Sequence, residues 1–257
     1  MLFPPLGLWQ SPGMILAHIS DLHLDGEPRA TKRAERVFAF LDRLHRPVDA
    51  ILLTGDITDH GTEAEYEQAK ALLRERPVLP CPGNHDARGP YRKVLLGEPA
   101  SEGPVNTVHD LPGARILLAD STVPGRPHGY LDDETLAWLD AGLSGAPAGK
   151  PVLVGFHHPP IPLHSPFIDE IRLRGAERLA EVLRRHGNVA AVLCGHAHSA
   201  AAGTFAGLPL LVAPGVVSTF RLPWETGTGL DGGQPPALAF HLLDPGGTIT
   251  THYRLVV

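Results

Sequence analysis

The sequence predicts an α/β protein, a four-layer αββα sandwich in which two packed mixed β-sheets are flanked by helices. Three observations predict it. The first half alternates strand-like and helix-like segments, the pattern of βαβ units feeding a parallel sheet. From residue 189 onward the helices disappear, and short strands separated by Gly and Pro take over, ending in a hairpin. Five apolar runs, at 15–19, 50–54, 78–81, 152–156 and 189–194, each stop at a short polar cluster. A parallel strand buried on both faces reads as such a run, and open α/β sheets bind ligands beyond the carboxyl ends of their strands.

Taken in order, the strand at 15–19 is followed by Ala30, Ala34, Val37, Phe38, Leu41 and Leu44 at helical spacing. The run at 50–54 is the second strand. Thr62 and Glu65 resemble a capping box that opens a helix reaching about Arg76, where Pro77 stops it. The third strand is 78–81. A short helix around 91–96 precedes strands at 105–109 and 115–119, then a helix at 132–143 and a strand at 152–156. The Pro-rich stretch 159–166 leads into a long amphipathic helix ending near His186. Strands are then expected at 189–194, 203–205, 210–212, 237–242 and 248–255, the last two joined by Asp244-Pro-Gly-Gly as a hairpin. On this pattern a parallel sheet feeds into an antiparallel one. The Gly- and Pro-rich stretch 218–236 is long for a loop, and such loops are frequently functional. It either covers a site or is a surface excursion.

A chain of 257 residues can bury a substantial core, and with no internal repeat or clear linker residues 14–257 are expected to form a single domain. Residues 1–13 are apolar but carry three prolines and no basic segment. They are read as a flexible N-terminal tail rather than a signal peptide, or as translated sequence ahead of a start at Met14. Hydrophobic content of 43% with 19% charged residues is that of a soluble globular protein. A net charge of −6 and the absence of any Lys/Arg block argue against a nucleic-acid polymer as partner. A small anionic substrate stays open, because bound metal ions dominate their local field. No apolar run reaches the length of a membrane span, so no membrane partner is expected. The two cysteines, Cys81 and Cys194, each end a core strand and are read as small buried residues of a cytoplasmic protein. Nothing in the sequence specifies an oligomeric state.

Histidine is the outlier, with 15 residues against 4 Tyr and 3 Trp, and seven of them lie in or beside the polar clusters. These clusters are Asp21-Leu-His23, Gly55-Asp56-Ile-Thr-Asp59, Gly83-Asn84-His85-Asp86, His157-His158 and Gly195-His196-Ala-His198. They supply Asp, His and Asn side chains, the O and N donors that suit divalent transition metals. Asp-X-His alone is weak evidence, since buried or capping residues of both types are common, and Gly55-Asp56 equally fits a helix cap. Gly83-Asn84-His85-Asp86 is more specific, because Asn is rarely a ligand and this tetrapeptide has few structural uses after a core strand. His196 and His198 place two imidazoles beside each other. Five strands delivering seven metal-type ligands to one rim point to a two-metal hydrolytic site.

In this order the clusters resemble the calcineurin-like metallophosphoesterases, over about residues 15–217. The stretches His-Ile-Ser-Asp-Leu-His, Pro-Gly-Asn-His-Asp, His-His-Pro-Pro and Gly-His-Ala-His-Ser are most similar to the bacterial class III cyclic-nucleotide phosphodiesterase branch, as is 129–139. The resemblance implies one metal on Asp21, His23, Asp56 and His198 and a second on Asp56, Asn84, His157 and His196. Asp56 would bridge the ions, with a water or hydroxide opposite it as nucleophile. His85 would assist the leaving oxygen, Asp59 would orient its ring, and Asn84 and His85 would contact the substrate. The implied ions are iron with manganese, zinc being tolerated. The implied substrate is a small phosphodiester, 3′,5′-cyclic nucleotides such as cyclic AMP among the candidates. The rivals on the same scaffold are a phosphomonoesterase or nucleotide pyrophosphatase. A non-catalytic metal-binding scaffold would be expected to lack ligands, and none is missing. His158 is read as an orienting or simply packed residue, His18 as a satisfied buried histidine, and Asp86 as the cap of its turn.

Overall fold

A computed structural model describes residues 13–257, so the tail expected at 1–13 lies, apart from Gly13, outside the described residues. In chain order the elements are β1 (Met14–Ile19), α1 (Pro28–Asp42), β2 (Ala50–Thr54), α2 (Glu63–Leu73), β3 (Val78–Cys81), and α3 (Arg88–Pro90), which runs into a π-helical turn, Tyr91–Leu96. They continue with β4 (Thr107–Asp110), β5 (Arg115–Leu118), β6 (Gly129–Tyr130), α4 (Asp133–Ser144), β7 (Val152–Gly155), α5 (Pro166–Glu170), β8 (Leu173–Arg174) and α6 (Ala176–Arg184). The remainder is all strand: β9 (Val189–Cys194), β10 (Ala201–Phe205), β11 (Leu208–Val212), β12 (Thr219–Phe220), β13 (Leu230–Asp231), β14 (Ala237–Leu243) and β15 (Ile249–Leu255).

One sheet has the order β15-β14-β1-β2-β3 and the other β10-β11-β9-β7-β5-β4. Strands β1, β2 and β3 are parallel, as are β5, β7, β9 and β11, while β4, β10, β14 and β15 pair antiparallel towards the edges. Both sheets are therefore mixed, and the antiparallel strands are not segregated into a sheet of their own. The C-terminal hairpin returns to β1, with Met14 opposite Leu243, because a strand flanked on one side by a parallel neighbour still offers its other edge.

Alternation along the strands sets the layers, since successive side chains point to opposite faces. Leu16 and Leu52 of one sheet meet Ile116, Leu153 and Leu193 of the other. Ala17, Ile19, Ile51 and Leu53 point the other way, onto Val37 and Phe38 of α1 and Tyr66 of α2. On the far side Val154, Val192 and Cys194 pack with Leu139 and Leu143 of α4 and Leu179 and Leu183 of α6. Three apolar layers between four structural ones give the αββα sandwich. Cys81 and Cys194 fall in different layers, both buried and both free thiols.

Local signals are met in detail at some elements and overridden at others. Thr62 accepts from the Glu65 amide while the Glu65 carboxylate accepts from the Thr62 amide, closing the capping box. The long helix expected to end near His186 is instead α5 and α6 with β8 between them. Leu173 is drawn into a bridge opposite Gly129, and Gly175, at φ +65°, starts α6 afresh. The stretch 218–236 carries its own hairpin, Thr219 opposite Asp231.

His18 and His241 form a buried chain through the first sheet: Nδ1 of His18 lies 2.9 Å from Nε2 of His241, and the outer nitrogens reach Thr54 and Thr251. Burial holds both well below the usual histidine range, and His241 falls to about 3. The folded state thus resists a proton that the unfolded chain accepts near pH 6.5, so stability is complete above that pH and falls as pH drops towards 3. His241 alone is expected to cost about 2 kcal/mol between pH 7.5 and pH 5. Urea unfolding of the His241→Gln variant should show a flatter acid limb by that amount, and an unchanged limb would remove the pair as its cause. Among the described residues no helix is long and apolar enough to cross a membrane.

Candidate metal centre

The loops leaving β1, β2, β3, β7 and β9 are stitched to one another by their own backbones. The Asp21 amide donates to the Gly55 carbonyl at 3.1 Å, His23 to Asp56 at 2.9 Å, and Gly195 to His157 at 3.0 Å. The His196 amide donates to Oδ2 of Asp21 at 3.2 Å, which ties the two sheets together at the rim. Gly55, at φ +87°, and Gly83 allow this closeness: a Cβ on the first would overlap the His157 ring, and one on the second the Asp56 carboxylate.

Asp86 is the clasp beneath. Its Oδ2 accepts from the amides of Ile57 and Gly83, and its Oδ1 from the Thr58 amide and hydroxyl and from the Tyr66 hydroxyl, at 2.9–3.2 Å. It therefore does more than cap its own turn; it fastens the β3 loop to the β2 loop. Asp86→Ala strands these donors in the interior and is expected to cost about 3 kcal/mol, read from the urea midpoint. Asp86→Asn, which keeps one acceptor, should fall between; a loss under about 0.5 kcal/mol would deny the clasp.

All the donors singled out in the sequence meet at this rim. Nε2 of His23 lies 3.2 Å from Nε2 of His198 and 3.5 Å from Oδ2 of Asp56, and Nε2 of His198 lies 3.5 Å from Oδ1 of Asp21. On the other side of Asp56, Nε2 of His157 lies 3.2 Å from Oδ2 and 3.1 Å from Nδ1 of His196. Donors sharing one ion at bond lengths near 2.1 Å stand about 3.2 Å apart, so these spacings fit two ions with Asp56 common to both. Asn84 lines the same cavity, and its Oδ1, like Oδ1 of Asp21, is buried without a hydrogen-bond donor. Two orphaned buried acceptors at a site rich in imidazoles are what a cation would satisfy.

Three of the four rings, all but His196, are set by their other nitrogen. Nδ1 of His157 bonds the Thr54 carbonyl at 2.7 Å, Nδ1 of His198 the Ser218 hydroxyl at 2.9 Å, and Nδ1 of His23 the Asp59 carboxylate at 2.8 Å. Such partners fix the ring and leave Nε2 for a ligand. Burial, and then the neighbouring His157, hold His196 well below the usual range; burial likewise lowers His198. His157 goes the other way: burial pulls it down, but Asp56 and Asp21 outweigh this and raise it to about 9. Burial works against the Asp56 carboxylate too, yet His157 and His23 hold it well below its ordinary value. In the metal-free protein a proton on His157 thus balances Asp56, and an ion would displace it.

Asp21, His23, Asp56, His196 and His198 all adopt positive φ, from +43° to +68°. This left-handed region is uncommon for side-chain-bearing residues, and its concentration at one site marks backbone strain held by the surrounding packing.

The expected pairing of Asp59 with His85 differs in kind. The Asp59 carboxylate lies nearest His23, with His60 at 3.4 Å and His85 at 3.5 Å, and Nδ1 of His85 bonds the Asp59 main-chain carbonyl at 2.9 Å. His85 is 41% exposed at its side chain and faces the cavity. His158 is fully buried, Nδ1 on Ser121 at 2.8 Å, with its ring against His157 and His196.

Above the donors opens a cavity of about 560 Å³. Phe167 and Ile168 of α5, Ile171 just beyond it, and Phe220 and Leu230 of the β12–β13 hairpin also line it, so the stretch 218–236 does form part of the cavity wall. That stretch is gripped from α1. Nε of Arg33 donates to the Val216 carbonyl at 2.7 Å and its Nη2 to that of Gln234 at 2.8 Å, while Nη2 of Arg29 reaches Val217 at 3.0 Å. Ser218, Arg33 and the aromatic wall had no signature in the sequence, since each acts on a residue remote in the chain.

An αββα sandwich carrying a two-lobed carboxylate–imidazole site at its strand ends defines a class, the metal-dependent phosphoesterases. The chain belongs to the calcineurin-like phosphoesterase family, which it matches over residues 14–200. It is 37% identical over 238 residues to a Rhodococcus erythropolis protein named "Probable cyclic nucleotide phosphodiesterase", covering 87% of this chain and 78% of the relative. It is 34% identical over 199 residues to a glycerophosphodiester phosphodiesterase of Enterobacter lignolyticus, covering 72% of this chain and 71% of that one. In fold it is similar to a dimetal phosphatase from Danio rerio, at a TM-score of 0.73 and 18% identity, over 96% of this chain and 98% of that one. The family uses a dinuclear metal centre, and the Asp and His donors here stand where such a centre would be held.

Proposed function

We propose that this chain hydrolyses small phosphodiesters, 3′,5′-cyclic nucleotides among them. One ion would be held by Asp21, His23, Asp56 and His198, the other by Asp56, Asn84, His157 and His196. The observation that carries the reading is the pair of donor sets joined at the Asp56 carboxylate, with buried acceptors on Asp21 and Asn84 left without donors. Bound there, two metal ions supply an activated water at neutral pH and neutralise charge developing on the phosphoryl oxygens.

The chain's own groups do the rest. His85, its Nδ1 on the Asp59 carbonyl, presents Nε2 to the cavity and carries the proton that the leaving oxygen takes up. Asn84 directs its amide N–H to the phosphate while its carbonyl faces the ion. Arg29 is the one Lys or Arg among the described residues lining the cavity, and its Nη2 is already bonded to backbone carbonyls, so charge on a bound phosphate falls to the ions. The names of the two relatives support the phosphodiesterase reading. Iron and manganese are the proposed ions, with zinc accepted by the same donors. Residues 14–257 act as one domain, with the C-terminal hairpin in the sheet that carries Asp21 and Asp56. Its free buried thiols suit the cytoplasm.

The test is a metal-reconstituted panel of cyclic AMP, 2′,3′-cyclic nucleotides, glycerophosphodiesters and simple monoesters. Diester turnover above that of the matching monoester is expected, with about two ions per chain. Absence of diester turnover with iron, manganese or zinc would sink the reading, and faster monoester turnover would return it to a phosphomonoesterase.

A further inference from the structure

Two phenylalanines line the same cavity as the metal donors. Phe167 comes from the short α5 and Phe220 from β12, yet their rings lie parallel, 9° between planes and 5.6 Å between centroids. Phe167 is 56% exposed, a large apolar face left in water at the mouth of a cavity whose floor includes Asn84 and His85. Neither ring is on a loose segment. The Phe220 carbonyl accepts from the Ser199 hydroxyl at 2.7 Å, one residue beyond His198, and Phe220 pairs with Leu230 across the hairpin. The α5 turn is pinned by buried Ile168 and by Asp169, whose Oδ1 accepts from the Leu163 amide at 2.7 Å. The wall is therefore in place before a ligand enters.

Parallel aromatic faces with aliphatic neighbours offer no hydrogen bond to a polyol, but they extend a stack onto any flat ring. A phosphate seated on the donor floor of the same cavity directs one of its ester groups towards this wall. We infer that Phe167 and Phe220 are specificity-determining residues that hold a flat heterocyclic or aryl substituent on one ester group of the substrate. The inference rests on the phosphodiesterase reading above.

The test compares cyclic AMP with methyl riboside 3′,5′-cyclic phosphate, which has the same scissile bond and lacks only the heterocycle. The metal-loaded protein is expected to favour cyclic AMP by about tenfold or more in kcat/KM, mostly through KM. Phe167→Leu and Phe220→Leu keep apolar volume but lose the flat face, and each should reduce that preference by at least about fivefold, whereas Phe167→Trp retains it. A preference near unity in the parent protein, one that both leucine variants leave intact, or an equal loss on both esters overturns the assignment. If neither ester is turned over, the 3′,5′-cyclic-nucleotide part of the functional reading fails by itself. The wall is then read by calorimetric binding of adenosine 5′-monophosphate against ribose 5-phosphate. A nucleotide preference lost in the leucine variants upholds it, and equal binding overturns it.

Discussion

Asp56→Asn is expected to lower kcat/KM by at least about a thousandfold and to leave the protein short of its full metal complement. Asp56 reaches both donor groups with one oxygen, its Oδ2 lying 3.5 Å from Nε2 of His23 and 3.2 Å from Nε2 of His157. Asparagine preserves its shape but removes the charge. It also removes what keeps His157 protonated in the empty site, so that ring, raised to about 9 in the parent, should titrate lower. Metal analysis and histidine NMR read these effects without reference to turnover. An Asp56→Asn protein that kept two ions and turned over within about tenfold of the parent would exclude Asp56 as the shared ligand.

His85→Ala is expected to lose about 10²–10⁴ in kcat while keeping both ions. The ring is part-exposed and holds one main-chain bond, to Asp59, so its removal should leave the fold near the parent's stability. Asp59→Asn separates the carboxylate from the carbonyl. Since the carboxylate holds His23 and the carbonyl holds His85, that variant should weaken metal retention, by about 10–100-fold. Loss of metal in His85→Ala, or unchanged turnover, would place the proton elsewhere.

How far these residues could be foreseen depends on the range of the interaction that defines them. The strand at 50–54, the Thr62–Glu65 box and the terminal hairpin were legible because each is a pattern within a few residues. The helix expected to run to His186 was not, because Leu173 answers to Gly129 rather than to its helical neighbours. Spacing in the Asp21 and His196 clusters says nothing of the left-handed backbone that both donors of each adopt at the site. Spacing also does not show that Asp59 serves two rings, its carboxylate 2.8 Å from Nδ1 of His23 and 3.5 Å from Nδ1 of His85, which its carbonyl meets at 2.9 Å.

By itself the sequence determined the strands of the two main sheets, the sandwich class and the types of donor at the strand ends, since strand period, capping and residue chemistry are local properties. Only the tertiary structure decided which atom of each donor faces the centre and what else lines the cavity. The partners that settle those questions are far apart in the chain: His198 turns on Ser218, 20 residues on, and His157 on Thr54, 103 residues back. Phe167 meets Phe220 only because α5 and the β12–β13 hairpin converge on one wall. Proximity of that kind is produced by burying the three apolar layers, and no short stretch of residues records it.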